Sequence, residues 1–79
     1  MEEATIMIVD DEAEMRKMIR TFLEKDGYTV IEAADGIDAL TLFRKERIDL
    51  IILDIMMPFM DGFSFTKEIK AISDIPIIF

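Results

Sequence analysis

The chain has no cysteine and no histidine. The first absence excludes disulfides and thiolate metal sites. The second removes the commonest acid–base catalyst and transition-metal ligand. Any bound metal must then be a hard cation on oxygen ligands, Mg²⁺ or Ca²⁺. Asparagine and glutamine are also missing. No internal repeat, linker or low-complexity stretch is present. No apolar run reaches membrane-spanning length. The acidic start Met1-Glu2-Glu3 lacks the basic opening of a secretory signal, so the expected location is cytoplasmic. Positive charge is scarce, with 9 Lys and Arg against 17 Asp and Glu and a formal net charge of −8. That balance argues against nucleic acid or an anionic membrane as a partner through this segment.

What remains is a short, acidic and apolar chain. Its 79 residues make one domain at most, and 52% of them are hydrophobic. A domain of this length buries a small fraction of its surface and is marginally stable alone.

Thr5 to Val9 is an apolar run that reads as a strand covered on both faces. Met15, Met18, Ile19, Phe22 and Leu23 then recur at helical spacing and predict one helical stripe, which is core in a complete domain. Gly27 suits the position just past that helix. Tyr28 to Ala33 predicts a second strand. Asp35 is the expected cap of a second helix that carries Ile37, Leu40 and Phe43. Leu50 to Leu53 predicts a third strand. Phe65, Ile69 and Ile72 predict a third helix, with Asp61 as its cap. Ile75 to Phe79 predicts a fourth strand with Pro76 near its start. The pattern βαβαβαβ with short connections implies an α/β fold on a parallel sheet with right-handed crossovers.

Acid sits at two strand ends. Asp10-Asp11 follow the first strand, and Asp54 ends the third. Ligands of open parallel sheets bind outside the C-terminal strand ends, where strand order reverses. If the first strand lies between the second and third, these acids meet in one crevice. Two carboxylates about 4 Å apart at an effective dielectric near 20 repel by about 4 kcal/mol. A divalent cation removes that penalty, and Mg²⁺ characteristically takes one or two carboxylates, waters and a phosphate oxygen. Taken alone, Asp10 and Asp11 are as well explained as helix caps; taken with Asp54, the metal reading prevails. Glu12 is expected near the cation without touching it. The Arg16-Lys17-Arg20 cluster reads as a solvated face.

These residues resemble a known family. Ile8-Val9-Asp10-Asp11-Glu12, Ala33-Ala34-Asp35-Gly36, Asp49-Leu50-Ile51-Ile52-Leu53-Asp54 and Met57-Pro58-Phe59-Met60-Asp61-Gly62 are similar, in order and spacing, to the receiver domain of two-component response regulators. The resemblance implies a flavodoxin-like sheet of order 2-1-3-4. It implies that Asp54 is the phosphoacceptor for a partner histidine kinase, so that the chain is a switch and not an enzyme. It implies that Asp10, Asp11, Asp54 and the backbone carbonyl of Met56 hold Mg²⁺, and that Pro58 and Gly62 shape the loop. The family has a fifth strand, a Ser or Thr after the fourth strand and a Lys at the end of the fifth. Residues 1–79 are therefore expected to form a partial receiver domain, with retained but weakened Mg²⁺ binding and poor or absent phosphoryl acceptance. The alternative is a self-assembling receiver fragment without signalling activity. Its fourth strand would expose Ile75, Ile77, Ile78 and Phe79, with a homodimer or higher oligomer as the outcome.

Overall fold

The computed structural model describes residues 3–54 and 62–79. Seven elements follow one another: β1 (Thr5–Val9), α1 (Ala13–Lys25), β2 (Thr29–Ala33), α2 (Gly36–Lys45), β3 (Leu50–Leu53), α3 (Gly62–Lys70) and β4 (Ile77–Ile78). The sheet is parallel throughout, in the order β2-β1-β3-β4. This is the flavodoxin-like arrangement that the sequence implies. Strand β1 is central, and β4 lies at one edge.

Local chemistry explains where the helices start and stop. Asp35 accepts a hydrogen bond from the Asp38 amide at 2.8 Å and caps α2. Helix α1 ends in a Schellman turn, in which the Gly27 amide donates to Glu24 and the Tyr28 amide to Leu23. Gly27 holds φ +93° there, a conformation that a side chain disfavours. The start of β3 is tied to β1 from both sides. The Thr5 amide donates to the Asp49 carboxylate at 2.7 Å, and the Asp49 amide donates to the Thr5 carbonyl at 2.8 Å. That double tie fixes the register between the two strands that carry the acids.

The core lies on one face of the sheet. Met7, Val9, Ile51 and Leu53 meet Ala39 of α2 and Phe65 and Ile69 of α3 there. Alternate strand residues point to the other face, which α1 covers. Cover on that face falls away across the sheet. Ile8, Ile52 and Ile78 are register partners; Ile8 is buried, Ile52 is half-buried and Ile78 is 52% exposed.

Several expectations need correction. Of the α1 stripe, Ile19 and Leu23 are half-buried, while Met15, Met18 and Phe22 are exposed. Ile37 is 66% exposed, and Ala39 takes the buried position in α2. At 100° per residue Ile37 lies well round the helix from Ala39, whose flank Leu40 and Phe43 share. Helix α3 stops at Lys70, so Ile72 falls in the following turn and is exposed. Only Ile77 and Ile78 of the expected fourth strand form β4. Ile75 and Ile77 pack half-buried against the core, while Ile78 and Phe79 are exposed. Half of the residues expected to be exposed for self-association, Ile75 and Ile77, are thus turned inward.

Candidate functional site

Parallel register brings the acid-bearing strand ends together. Val9 pairs with Ala33 on one side and with Leu53 on the other. The Asp10 amide donates to the Ala33 carbonyl at 3.1 Å, and the Asp54 amide donates to the Val9 carbonyl at 2.9 Å. Asp10 and Asp54 thus leave adjacent strands at the same end of the sheet. Both are half-buried, whereas Asp11 and Glu12 are exposed.

One carboxylate oxygen from each of Asp10, Asp11 and Glu12 lies within 4.8 Å of the other two. Among the described residues, this is the group that could hold a metal ion. Oxygens around Mg²⁺ at about 2.1 Å stand about 3–4 Å apart, so carboxylates spread over up to 4.8 Å would have to draw together to share one cation. The donors are all carboxylates, which suits a hard ion. Asp54 is brought to the same sheet end through its backbone, but its carboxylate is not a member of the cluster. Glu12 is a member, closer than the sequence suggests. Met56, Pro58 and the expected cap Asp61 lie outside the described residues; Gly62 is the first residue of α3.

Asp10 is held on several sides. Its Oδ1 accepts from the Glu12 amide at 2.8 Å, a local turn that replaces a side-chain cap on α1. Its carbonyl accepts from Arg16 Nη1 at 2.6 Å. Arg16 Nε also donates to Glu32 Oε1 at 3.0 Å, and Arg20 Nη1 donates to Glu32 Oε2 at 2.8 Å. Arg20 reaches Glu24 as well, at 3.1 Å. The solvated-face reading of the basic cluster is thus wrong for Arg16 and Arg20. Two signals were available: the two arginines are four apart on one helix face, and Glu32 is the one charge inside the β2 run.

The hydrogen bond from Arg20 lowers the Glu32 pKa, with Arg16 adding to the effect and partial burial opposing it. The hydrogen bond from Glu32 raises Arg20 in turn. A carboxyl with a depressed folded-state pKa stabilises the fold above its unfolded value and loses that contribution as pH falls through the folded value. Unfolding free energy is therefore expected to decline on acidification below the ordinary glutamate range. Denaturant melts across that window should show a flatter decline in Glu32→Gln than in the unaltered chain.

Comparison with known proteins decides the family. A family model described as the response regulator receiver domain matches residues 6–79. The chain belongs to that family. A probable transcriptional regulator ycf27 from Guillardia theta is 52% identical over 73 residues, which are 92% of this chain and 29% of that protein. The receiver chain thus spans under a third of this curated relative. Chemotaxis response regulator CheY4 of Vibrio cholerae superposes with a TM-score of 0.91 at 40% identity, over 96% of this chain and 66% of that one. Response regulator TrrA from Thermotoga maritima, solved with Mg²⁺ and BeF, superposes at 0.87 with 37% identity, over 94% and 65% of the two chains. TrrA is also solved in complex with the histidine kinase ThkA, where it superposes at 0.87 with 36% identity, again over 94% and 65%. Receiver domains are signalling modules. Among the described residues, no helix is long and apolar enough to cross a membrane.

Proposed function

We propose that this segment, a partial receiver domain over residues 1–79, is the phosphoacceptor module of a two-component response regulator, with Asp54 accepting a phosphoryl group from the phosphohistidine of a partner kinase. The observation that carries the reading is the backbone register. The Asp54 amide bonds to Val9, the residue before Asp10, at 2.9 Å. The acceptor and the acidic cluster therefore share one end of the sheet. The TrrA structures with Mg²⁺–BeF and with a histidine kinase support the same assignment by analogy.

In transfer, a P–O bond forms at an Asp54 carboxylate oxygen as the P–N bond to imidazole breaks, and the bonding pair stays on the ring nitrogen. Asp10 and Asp11, with the Met56 carbonyl, would hold Mg²⁺, and Glu12 stands close enough to share that task. When bound, the ion supplies positive charge against the phosphoryl oxygens. The protein's own part is placement: β1 and β3 fix the two acid-bearing ends, and Arg16 fixes the Asp10 peptide. Pro58 and Gly62 would shape the approach after Asp54. Incubation with a phosphorylated histidine kinase should give a weak, Mg²⁺-dependent, hydroxylamine-labile label on the chain. A label that forms equally well in EDTA contradicts the proposal.

The second reading, a self-assembling receiver fragment, is favoured by the falling cover along the Ile8–Ile52–Ile78 row and by exposed Phe22 and Phe79. Burying apolar area is worth about 25 cal/mol per Å², and a second copy meeting this face across a two-fold axis would gain it. Sedimentation at micromolar concentration is expected to show a homodimer or a larger even-numbered assembly. A folded monomer at that concentration contradicts this reading and leaves the phosphoacceptor reading standing. Nothing in the composition favours nucleic acid or a membrane as the partner of this surface.

A further inference from the structure

We propose that Arg16 is a positioning residue for the acidic cluster, holding the Asp10 carbonyl with a guanidinium that Glu32 keeps in place. The inference rests on the reading of the cluster as a Mg²⁺ site. One planar fork makes both bonds: Nη1 to the Asp10 carbonyl at 2.6 Å and Nε to Glu32 Oε1 at 3.0 Å. The Arg16 side chain is only 15% exposed and that of Glu32 only 25%, so neither is a freely solvated surface group. The Asp10 amide is already fixed to Ala33 at 3.1 Å, and its Oδ1 is fixed by the Glu12 amide at 2.8 Å. The Arg16 bond completes the set by fixing the carbonyl, and with it the peptide that leads to Asp11. The direction in which Asp10 and Asp11 present their carboxylates follows from that peptide.

Two roles for Arg16 give opposite signs. A guanidinium that acted only through its charge would repel a divalent cation, so its removal would tighten Mg²⁺ binding. A guanidinium that acts by holding the backbone pre-organises the ligands, so its removal weakens binding. Pairing with Glu32 offsets much of the charge, and the fork geometry is what remains. Lysine cannot reproduce it, because an ammonium is a point charge without a rigid fork. Arg20 provides the comparison. It pairs with Glu32 and Glu24 but makes no bond to Asp10.

The test is a Mg²⁺ titration of the 79-residue chain, followed by amide and carbonyl resonances, for the unaltered protein, Arg16→Ala, Arg16→Lys and Arg20→Ala. Arg16→Ala is expected to weaken Mg²⁺ about tenfold, as loss of a partner that orients a ligand typically does. Arg16→Lys should keep most of that loss. Arg20→Ala breaks an exposed pair with Glu24 and a part-buried pair with Glu32, but it frees no ligand-bearing peptide and should change affinity by no more than about twofold. In the metal-free chain, the Asp10 carbonyl carbon should shift in Arg16→Ala and not in Arg20→Ala. The proposal is overturned by unchanged or tighter Mg²⁺ binding in Arg16→Ala, by equal losses in Arg16→Ala and Arg20→Ala, or by full rescue in Arg16→Lys. If Arg16→Ala does not fold, Arg16→Lys carries the decision. If the unaltered chain shows no Mg²⁺ response, the metal reading fails separately, and the Asp10 carbonyl resonance still decides whether Arg16 holds it.

Discussion

Replacing Asp54 with Asn is expected to remove the phosphoryl label, a loss of more than about a hundredfold, because the amide is a far weaker nucleophile than the carboxylate it replaces. The substitution keeps the size of the side chain. It also leaves the backbone bond from residue 54 to Val9 intact, since that bond uses the amide nitrogen and not the side chain. The fold should therefore survive, and the amide fingerprint of β1 and β3 should stay in place. Asp10→Asn has a different expected profile. It should weaken Mg²⁺ and slow labelling in proportion, with the acceptor still present, because Asp10 belongs to the cluster with Asp11 and Glu12 and Asp54 does not. Intact-mass measurement after treatment with a phosphorylated kinase separates the two cases. A persistent adduct in Asp54→Asn would move the acceptor to another carboxylate.

Phe65→Ala is expected to unfold the chain or to bring it to the edge of unfolding. Phe65 is completely buried and, among the described residues, is the largest of the fully buried side chains. It stands in the core formed by α2, α3 and the inner face of β1 and β3. Truncating a buried phenylalanine costs about 3–5 kcal/mol through lost transfer energy and a residual cavity. Whole domains are stable by only about 5–15 kcal/mol, and short ones lie at the low end. The loss is thus comparable with the total. Its structural consequence reaches the site, because α3 is the element that receives the chain after Asp54. Urea melts followed by circular dichroism should show the transition moved to much lower denaturant or lost. A destabilisation below about 1 kcal/mol contradicts the assigned core, since truncating a buried phenylalanine costs about 3–5 kcal/mol.

Much of the architecture was legible in the residues because each signal was local. Strands β1 and β3 are unbroken apolar runs closed by acid, and both were placed at their observed ends. Asp35 and Gly27 act at the two ends of their helices as a short acceptor and a backbone without a side chain must. What failed was what depends on neighbours. The α1 stripe of Met15, Met18 and Phe22 has core periodicity, but periodicity states which side chains share a face and not whether anything covers that face. The fourth strand read as five apolar residues, and only Ile77 and Ile78 pair with β3. The site was legible as far as Asp10, Asp11 and the adjacency of Asp54, because strand order and register place them. The membership of Glu12 was not legible, because it depends on side-chain reach. The Arg16–Glu32 clamp was signalled only by the spacing of the two arginines and the single charge in β2, and its bond to the Asp10 carbonyl was not legible.

The most direct test of the account is a Mg²⁺ titration of the unaltered chain, followed through the backbone amides of Asp10, Asp11, Glu12 and Asp54. The account predicts saturable shifts at these four positions, with the edge strand β4 unmoved, and their loss in Asp10→Asn. Amides at the two strand ends that do not respond to Mg²⁺, or that respond no more than those of Ile77 and Ile78, would contradict it.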